Sequence, residues 1–396
     1  MEVRKLDADL LRQRLLDVLE RSGDLTDPEI LEQIDALVLA EGRQKALSLQ
    51  EKEGLRKELF YSVRKLDILQ ELLEDDSVTE IMVNGPEQIF VERGGQIRRY
   101  EKSFVSRQRL EDVIQRIAGD CNRVVNEQNP IVDARLEDGS RVNVVLPPVA
   151  LNGPILTIRR FPEEPITMRQ LIRWGSITKE AADFLEKLVR CRYSILVGGG
   201  TSTGKTTFLN ALSEAIPKGE RIVTIEDSAE LQLMGIENLV RLEAKNANLE
   251  ENREITIRDL IRTALRMRPD RIIIGEVRSA EAVDFLSCLN TGHDGSLGSA
   301  HANSVADMLT RLETMVLMGM QIPIPAIRRQ IASGIEILVH LDRAGNGSRQ
   351  VAEIAEIVGM QGDEILLHPL YERDAKGALV CKEELVHEEK WRKDPL

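Results

Sequence analysis

The chain opens on a helical period. Leu6, Leu10, Leu11, Leu15, Leu16 and Leu19 fall on one stripe of a helix. Asp27-Pro28 reads as a helix start, where proline's missing N–H costs no helical hydrogen bond. Ser48-Leu49-Gln50-Glu51 has the spacing of a capping box. Residues 1–65 are therefore expected to form a small helical bundle whose stripes pack internally. A partner-docking surface is the alternative reading of the same stripes.

Near residue 75 the pattern becomes that of strands. Glu80-Ile81-Met82-Val83, Asn84-Gly85-Pro86 and Gln88-Ile89-Phe90-Val91-Glu92 predict strand, turn and strand. Gly94-Gly95 turns the chain again, and a helix is expected at about 107–119. Residues 131–136 and 141–146, around Glu137-Asp138-Gly139-Ser140, carry a hairpin signal. One more strand is expected from Pro154 to Phe161, so 66–161 predicts a separate α+β domain. Pro162-Glu163-Glu164-Pro165 opens a linker assigned to 162–178.

A helix at about 179–189 leads into the apolar run Tyr193-Ser194-Ile195-Leu196-Val197. Apolar runs at 221–226, 272–275, 295–300 and 335–341 then alternate with helical stretches. That alternation predicts a parallel α/β sheet with helices on its faces over 179–396. The charged tail from about Lys382 is expected to fray.

Bulk properties narrow the function. With 396 residues, 42% hydrophobic and 30% charged, the chain has enough core for two or three domains. A net charge of -13 argues against general coating of nucleic acid, and 3% aromatics leave little for a base-stacking platform, so nucleic acid is not the expected partner. No apolar run reaches transmembrane length, and the first residues lack the apolar core of a signal peptide. A cytoplasmic location without a transmembrane segment of its own is expected. Cys121, Cys191, Cys288 and Cys381 are far apart with no Cys-x-x-Cys, which reads as reduced thiols rather than a zinc site.

The candidate chemistry centres on Gly199, Gly200, Thr201, Ser202, Thr203, Gly204, Lys205 and Thr206, with Thr207 following. This is the P-loop pattern between a buried strand and a helix. Backbone N–H groups and the helix dipole would cradle phosphate, Lys205 would reach the β and γ phosphates, and the Thr206 hydroxyl would ligand Mg²⁺. ATP with Mg²⁺ is the expected ligand.

In a parallel sheet, ligands bind beyond the carboxyl ends of the strands. Thr224-Ile225-Glu226-Asp227-Ser228-Ala229-Glu230 supplies carboxylates at one such end, and Ile272-Ile273-Ile274-Gly275-Glu276 reads as a Walker B strand at another. Glu226 and Glu276 are read as sharing the work of holding Mg²⁺ through water and activating the attacking water. Two of the five histidines, His293 and His301, flank a third strand, and His301 is preferred as a γ-phosphate sensor because it is nearer the carboxyl end. The other three, His340, His368 and His387, read as incidental. A further cation is needed for fast hydrolysis. Arg141, Arg159 and Arg160 in the smaller domain and Arg266 and Arg268 before Walker B are the candidates, each also readable as a solvated basic edge.

Taken together, the P-loop, the acidic segment 224–230, Gly275-Glu276-Val277-Arg278 and the histidine segment 292–304 resemble the secretion ATPases of type II and type IV systems. Val78-Thr79-Glu80-Ile81-Met82-Val83-Asn84-Gly85-Pro86 and Leu156-Thr157-Ile158-Arg159-Arg160-Phe161 resemble the tight-adherence (Flp) pilus branch, often called CpaF-type. Conjugation-type secretion ATPases are the second choice. The resemblance implies a RecA-like P-loop motor domain, an N-terminal domain that closes over nucleotide, and a ring homo-hexamer. It further implies action on an inner-membrane platform protein, from a position peripheral to that membrane. By position it makes Glu226 and Glu230 the Asp-box acids, Glu276 the Walker B acid and His301 the leading His-box residue, with Arg141, Arg159 or Arg160 completing the site. Two departures stand out. Ser202 replaces a glycine common in relatives, compatible with a phosphate nest if its backbone angles are ordinary. Ser279-Ala280 follows Arg278 where relatives often carry glycine.

Overall fold

The computed structural model describes residues 10–19, 25–45, 47–160, 165–245, 254–345, 347–374 and 377–393. Leu6 of the first stripe, Phe161 and the linker residues Pro162, Glu163 and Glu164 lie outside them. The chain divides into two compact units, Met1–Glu163 and Glu164–Leu396.

The first unit begins with helices α1 (10–19), α2 (Asp27–Lys45) and α3 (Leu49–Arg64). Leu11, Leu15, Ile30, Ile34, Val38 and Leu59 form their shared core. The capping box is present: the Ser48 hydroxyl accepts from the Glu51 N–H, and the Glu51 carboxylate accepts from the Ser48 N–H at 3.0 Å. After α4 (Gln70–Leu73) come β1 (Val78–Asn84), β2 (Ile89–Arg93), β3 (Gln96–Arg99), α5 (Arg107–Asp120), β4 (Ile131–Arg135), β5 (Arg141–Val145) and β6 (Ile155–Arg159). The strands pair antiparallel in the order β3-β2-β1-β6-β5-β4. Ile81, Val83, Val142, Leu156 and Ile158 pack with Leu110, Ile114 and Ile117 of α5. Two arginines of α5 join this layer to the helices. Arg109 reaches the Ser62 carbonyl and Asp67, and Arg116 donates to the carbonyls of Val63 and Lys65. Cations there meet the negative end of α3 and its unpaired carbonyls.

The second unit contains α6 (Met168–Arg173), α7 (Lys179–Arg190), β7 (Ile195–Gly199), α8 (Lys205–Ser213), β8 (Ile222–Glu226), β9 (Leu239–Glu243), α9 (Ile257–Ala264) and β10 (Arg271–Val277). It continues with α10 (Ala282–Leu289), β11 (Leu297–His301), α11 (Val305–Gly319), α12 (Ile324–Gly334), β12 (Ile337–Arg343), β13 (Arg349–Gln361), β14 (Glu364–Arg373) and β15 (Leu379–Cys381). The sheet order is β15-β14-β13-β12-β7-β11-β10-β8-β9. From β12 to β9 the pairs are parallel, as the alternating pattern predicts. Strands β13 to β15 extend the sheet antiparallel, beyond anything read from the pattern. Each face of the sheet carries its own apolar cluster, one around α7 and α8 and one around α10, α11 and α12. The segment assigned to the linker holds α6, whose start is fixed by a Thr167–Gln170 capping box.

The C-terminal tail does not fray along its described length. Glu356, almost fully buried on β13, accepts from the backbone N–H groups of Val386 and His387 and faces His387 Nδ1 at 2.9 Å. Lys390 binds Glu336 at 2.8 Å and the Arg192 carbonyl at 3.1 Å. Tyr193 donates to the His387 carbonyl and accepts from the Trp391 N–H. Trp391 lies 5.4 Å from the Phe184 ring centroid, with Lys187 Nζ 4.0 Å over its face. Charge composition suggested a solvated end, but each of these polar groups meets a partner on β13 or beside the feet of β7 and β12. Glu356→Ala, which strands two backbone donors, is expected to cost about 2 kcal/mol in urea unfolding and to open the chain after Cys381 to limited proteolysis. An unchanged cleavage pattern would mean that this carboxylate does not hold the tail.

Candidate functional site

The carboxyl ends of the parallel strands share one edge. Gly199 of β7 stands abreast of His301 of β11 and Leu341 of β12, and Ile225 of β8 pairs with Ile274 of β10, so Glu226 ends beside Gly275. Sequence dictates the close fit. A Cβ on Gly199 would stand 2.7 Å from the Leu341 carbonyl oxygen, and one on Gly275 would stand 2.9 Å from Glu226 Cγ.

The chain leaves β7 and turns through residues 200–204 into α8. Gly204 is the N-cap with φ 92°, and no side chain caps the helix, so its first-turn N–H groups are left for an anion. Thr203 Oγ1 donates to the Gly200 carbonyl at 2.9 Å and steadies the turn. Ser202 departs from expectation: its φ is 59°, in the left-handed region. Glycine adopts that conformation freely, whereas serine is disfavoured there by roughly 1 kcal/mol.

Lys205, the first residue of α8, is 8% exposed. Its ammonium donates to the carbonyls of Gly199 and Gly200, each at 3.2 Å, and stands 3.5 Å from Glu276 Oε1. It also lies 3.2 Å from His301 Nδ1. Because lysine can only donate, Nδ1 is the acceptor and the ring proton sits on Nε2, facing Glu276 Oε1 at 2.9 Å. Burial lowers the pKa of both Lys205 and His301, with Glu276 opposing in each case. Lowering agrees with a neutral imidazole near pH 7. Arg278 grips the other oxygen of Glu276 through Nε at 2.7 Å and reaches Asp227 at 3.4 Å. Thus Glu276 is shared among Lys205, His301 and Arg278.

Glu226 is 2% exposed. Its Oε1 accepts from the N–H groups of Glu230 and Leu231 at 2.8 Å, while Oε2 is buried without a hydrogen-bond partner. The hydroxyl of Thr224, two residues earlier on the same strand, is likewise buried and unpartnered. Burial pushes the Glu226 carboxyl up to about 7, against the two backbone hydrogen bonds that favour its ionised form. Glu230 is half-buried at the same strand end, and its charge acts on both Lys205 and Glu226.

A hard-oxygen cation fits this edge. Thr206 offers a hydroxyl at the start of α8, and Glu276 Oε1 faces the same edge, where only Lys205 and His301 now meet it. Among the described residues no cluster of His, Cys, Asp and Glu forms a metal site of its own, so such a cation would share its oxygens with phosphate.

Some expected residues lie elsewhere. His293 precedes β11, at the amino-terminal edge of the sheet, with Nδ1 3.3 Å from the Cys288 carbonyl. Its neighbour Gly295 serves packing: a Cβ there would stand 2.8 Å from the fully buried Arg271 guanidinium. Arg266 and Arg268 are exposed at that same amino-terminal edge, ahead of β10. Arg141 and Arg159 belong to the first unit, where Arg135, Arg141 and Arg159 form a cross-strand row with Glu80 beside Arg159. Arg160 is occupied there by the carbonyls of Asp75 and Val78 and by the Asp76 carboxylate.

Two features escaped the sequence reading. Arg343, at the end of β12, donates from Nε and Nη2 to the Ser202 carbonyl at 3.3 and 3.0 Å. A pocket beside the loop is lined by Ile166, Leu171, Trp174, Thr207, Phe208 and Arg349 among others. Neither has a motif, because both arise from residues far apart in the chain.

The fold is that of the RecA-like ATPase class. The Type II/IV secretion system protein family matches residues 63–369, and the chain belongs to it. It is 38% identical over 301 residues to a Mycobacterium tuberculosis protein provisionally named a conjugal transfer protein, covering 74% of this chain and 85% of that one. It is 33% identical over 319 residues to the type IV secretion system protein VirB11 of Brucella suis, covering 73% and 88%. The fold is also that of the pilus retraction motor PilT with bound ADP (TM-score 0.54, 20% identity, 75% of this chain and 83% of that one). The Legionella pneumophila ATPase DotB matches with TM-score 0.53 at 21% identity, covering 73% and 79%. No helix among the described residues is long and apolar enough to cross a membrane.

Glu226 gives the apo protein a pH signature. Its folded pKa of about 7 stands above its ordinary 4.5, so between those values the folded chain binds more protons than the unfolded one. Stability from this group is full below the lower value, falls by something on the order of 3 kcal/mol as pH rises through the window, and is level above it. Melting temperature is expected to decline from about pH 5 to about pH 7.5, and Glu226→Gln to flatten that slope. Identical slopes would show that Glu226 is not the titrating group.

Proposed function

We propose that this protein is an ATP-hydrolysing motor of a secretion or pilus machine, working as a homo-hexamer at the cytoplasmic face of the inner membrane on a membrane-embedded platform protein. The observation that carries the reading is the buried Lys205 at the mouth of an uncapped helix, meeting Glu276 and His301 from two neighbouring strands. Incoming phosphates would offer Lys205 a stronger anionic partner than the single carboxylate it now shares. Glu276 and His301 would then be free to answer to the nucleotide. Glu226, with its proton equilibrium near neutrality, suits a general base for the attacking water. Thr206 and Glu276 are the residues to hold Mg²⁺, which when bound would neutralise charge on the phosphates. The pocket that Trp174, Phe208 and Arg349 line beside Thr207 suits the nucleoside end of ATP. Arg141, Arg159 or Arg160 would supply the remaining cation as the smaller domain closes over nucleotide.

The sequences of the stretches 78–86 and 156–161 favour the tight-adherence pilus branch. Conjugation-type secretion is the second reading, favoured by the names of the Mycobacterium and Brucella relatives. Co-purification of pilin-type against conjugation-type membrane partners would separate the two. A RecA-like nucleic-acid motor would reveal itself by DNA-stimulated turnover, which a chain of net charge -13 is not expected to show.

Phosphate release from ATP is expected to fall by about 100-fold or more in Lys205→Ala, with nucleotide binding weakened. In Glu276→Gln it is expected to fall comparably while binding is kept. Full turnover in Lys205→Ala would remove the proposed site.

A further inference from the structure

The phosphate loop is braced from outside by the hairpin that follows β12. β12 and β13 pair antiparallel, and Arg343 at the end of one lies opposite Arg349 at the start of the other. Like charges facing each other across a hairpin are unfavourable unless each has other work. Both side chains turn to the loop. Arg343 places Nε and Nη2 on the Ser202 carbonyl, and a Cβ on Gly204 would stand 3.4 Å from Arg349 Cδ.

The braced carbonyl belongs to the loop residue held in the left-handed conformation, where serine is disfavoured. In a trans peptide the carbonyl and the following N–H point in opposite directions. Fixing the Ser202 carbonyl toward the hairpin therefore fixes the direction of the Thr203 N–H. A loop that binds phosphate through backbone N–H groups depends on such orientations.

We propose that Arg343 is a positioning residue for nucleotide binding: its guanidinium holds the 202–203 peptide plane in the phosphate-binding orientation and offsets the serine at 202. The inference rests on the reading of residues 199–206 as a nucleotide site. Charge alone would not suffice, because two N–H groups of one planar fork converge on a single oxygen.

A double-mutant cycle on the full chain tests this, with affinity for MgATP read by calorimetry and turnover read as kcat and KM. Arg343→Ala is expected to weaken binding about tenfold, with kcat at saturation changed by no more than about twofold. In the Ser202→Gly background, where the left-handed turn needs no brace, the same substitution is expected to cost about twofold or less. Arg343→Lys, which keeps the charge and loses the fork, is expected to recover only part of the loss. Equal losses in both backgrounds, no loss in Arg343→Ala, or full recovery by lysine would each overturn the proposal. Absence of MgATP binding by the unmodified protein would overturn it together with the nucleotide-site reading. That outcome is distinguishable because it appears before any substitution is made.

Discussion

A lysine ammonium almost closed off from water is the constraint around which the second unit is arranged. Such a charge is tolerated only where oxygens surround it. Here they come from two carbonyls of its own loop and from Glu276 on a separate strand, with a histidine nitrogen beside them. Each acceptor must arrive at the same height, which requires parallel strands in register. The register of Gly199, His301 and Leu341 supplies that alignment. The absence of a side chain at Gly199 and Gly275 is equally part of it, because bulk there would push Leu341 or Glu226 out of line.

Much of this was legible in the residues. The P-loop motif carries its own context, a buried strand before it and a helix after it, and the other acids end apolar runs that can only be central strands. Local pattern is strong for such segments because burial on both faces leaves a continuous apolar signature. The preference for His301 over His293 followed from strand direction alone, and the structure places His301 beside Lys205 while His293 lies at the far edge. What was not legible depends on contacts between distant segments. Arg343 and Ser202 are separated by 141 positions. The left-handed backbone of Ser202 belongs to a site where local preference gives way to function. The tail misled for a different reason: its charges read as solvated, yet Glu336 just before β12 and Glu356 on β13 wait for them.

The arginines show where sequence and fold each stop. Arg160 is committed to carbonyls of its own unit, whereas Arg135, Arg141 and Arg159 stand in a row along neighbouring strands. Adjacent guanidinium groups raise the local positive potential and favour an approaching anion over any single one of them. Arg135 entered that row only through strand pairing. Its place in the sequence, just before a predicted turn, gave it no distinction from any other surface arginine.

The tail is fastened at the rim of the sheet opposite the phosphate loop. Tyr193 and Glu336, which receive it, precede β7 and β12, the strands whose far ends carry Gly199 and Arg343. These strands are stiff, hydrogen-bonded rods whose apolar stretches are fully buried. A pull exerted on the chain beyond Trp391 would thus be borne at the foot of the very strand that ends in the glycine turn. Mechanically, the fastened tail and the glycine turn are the two ends of one beam.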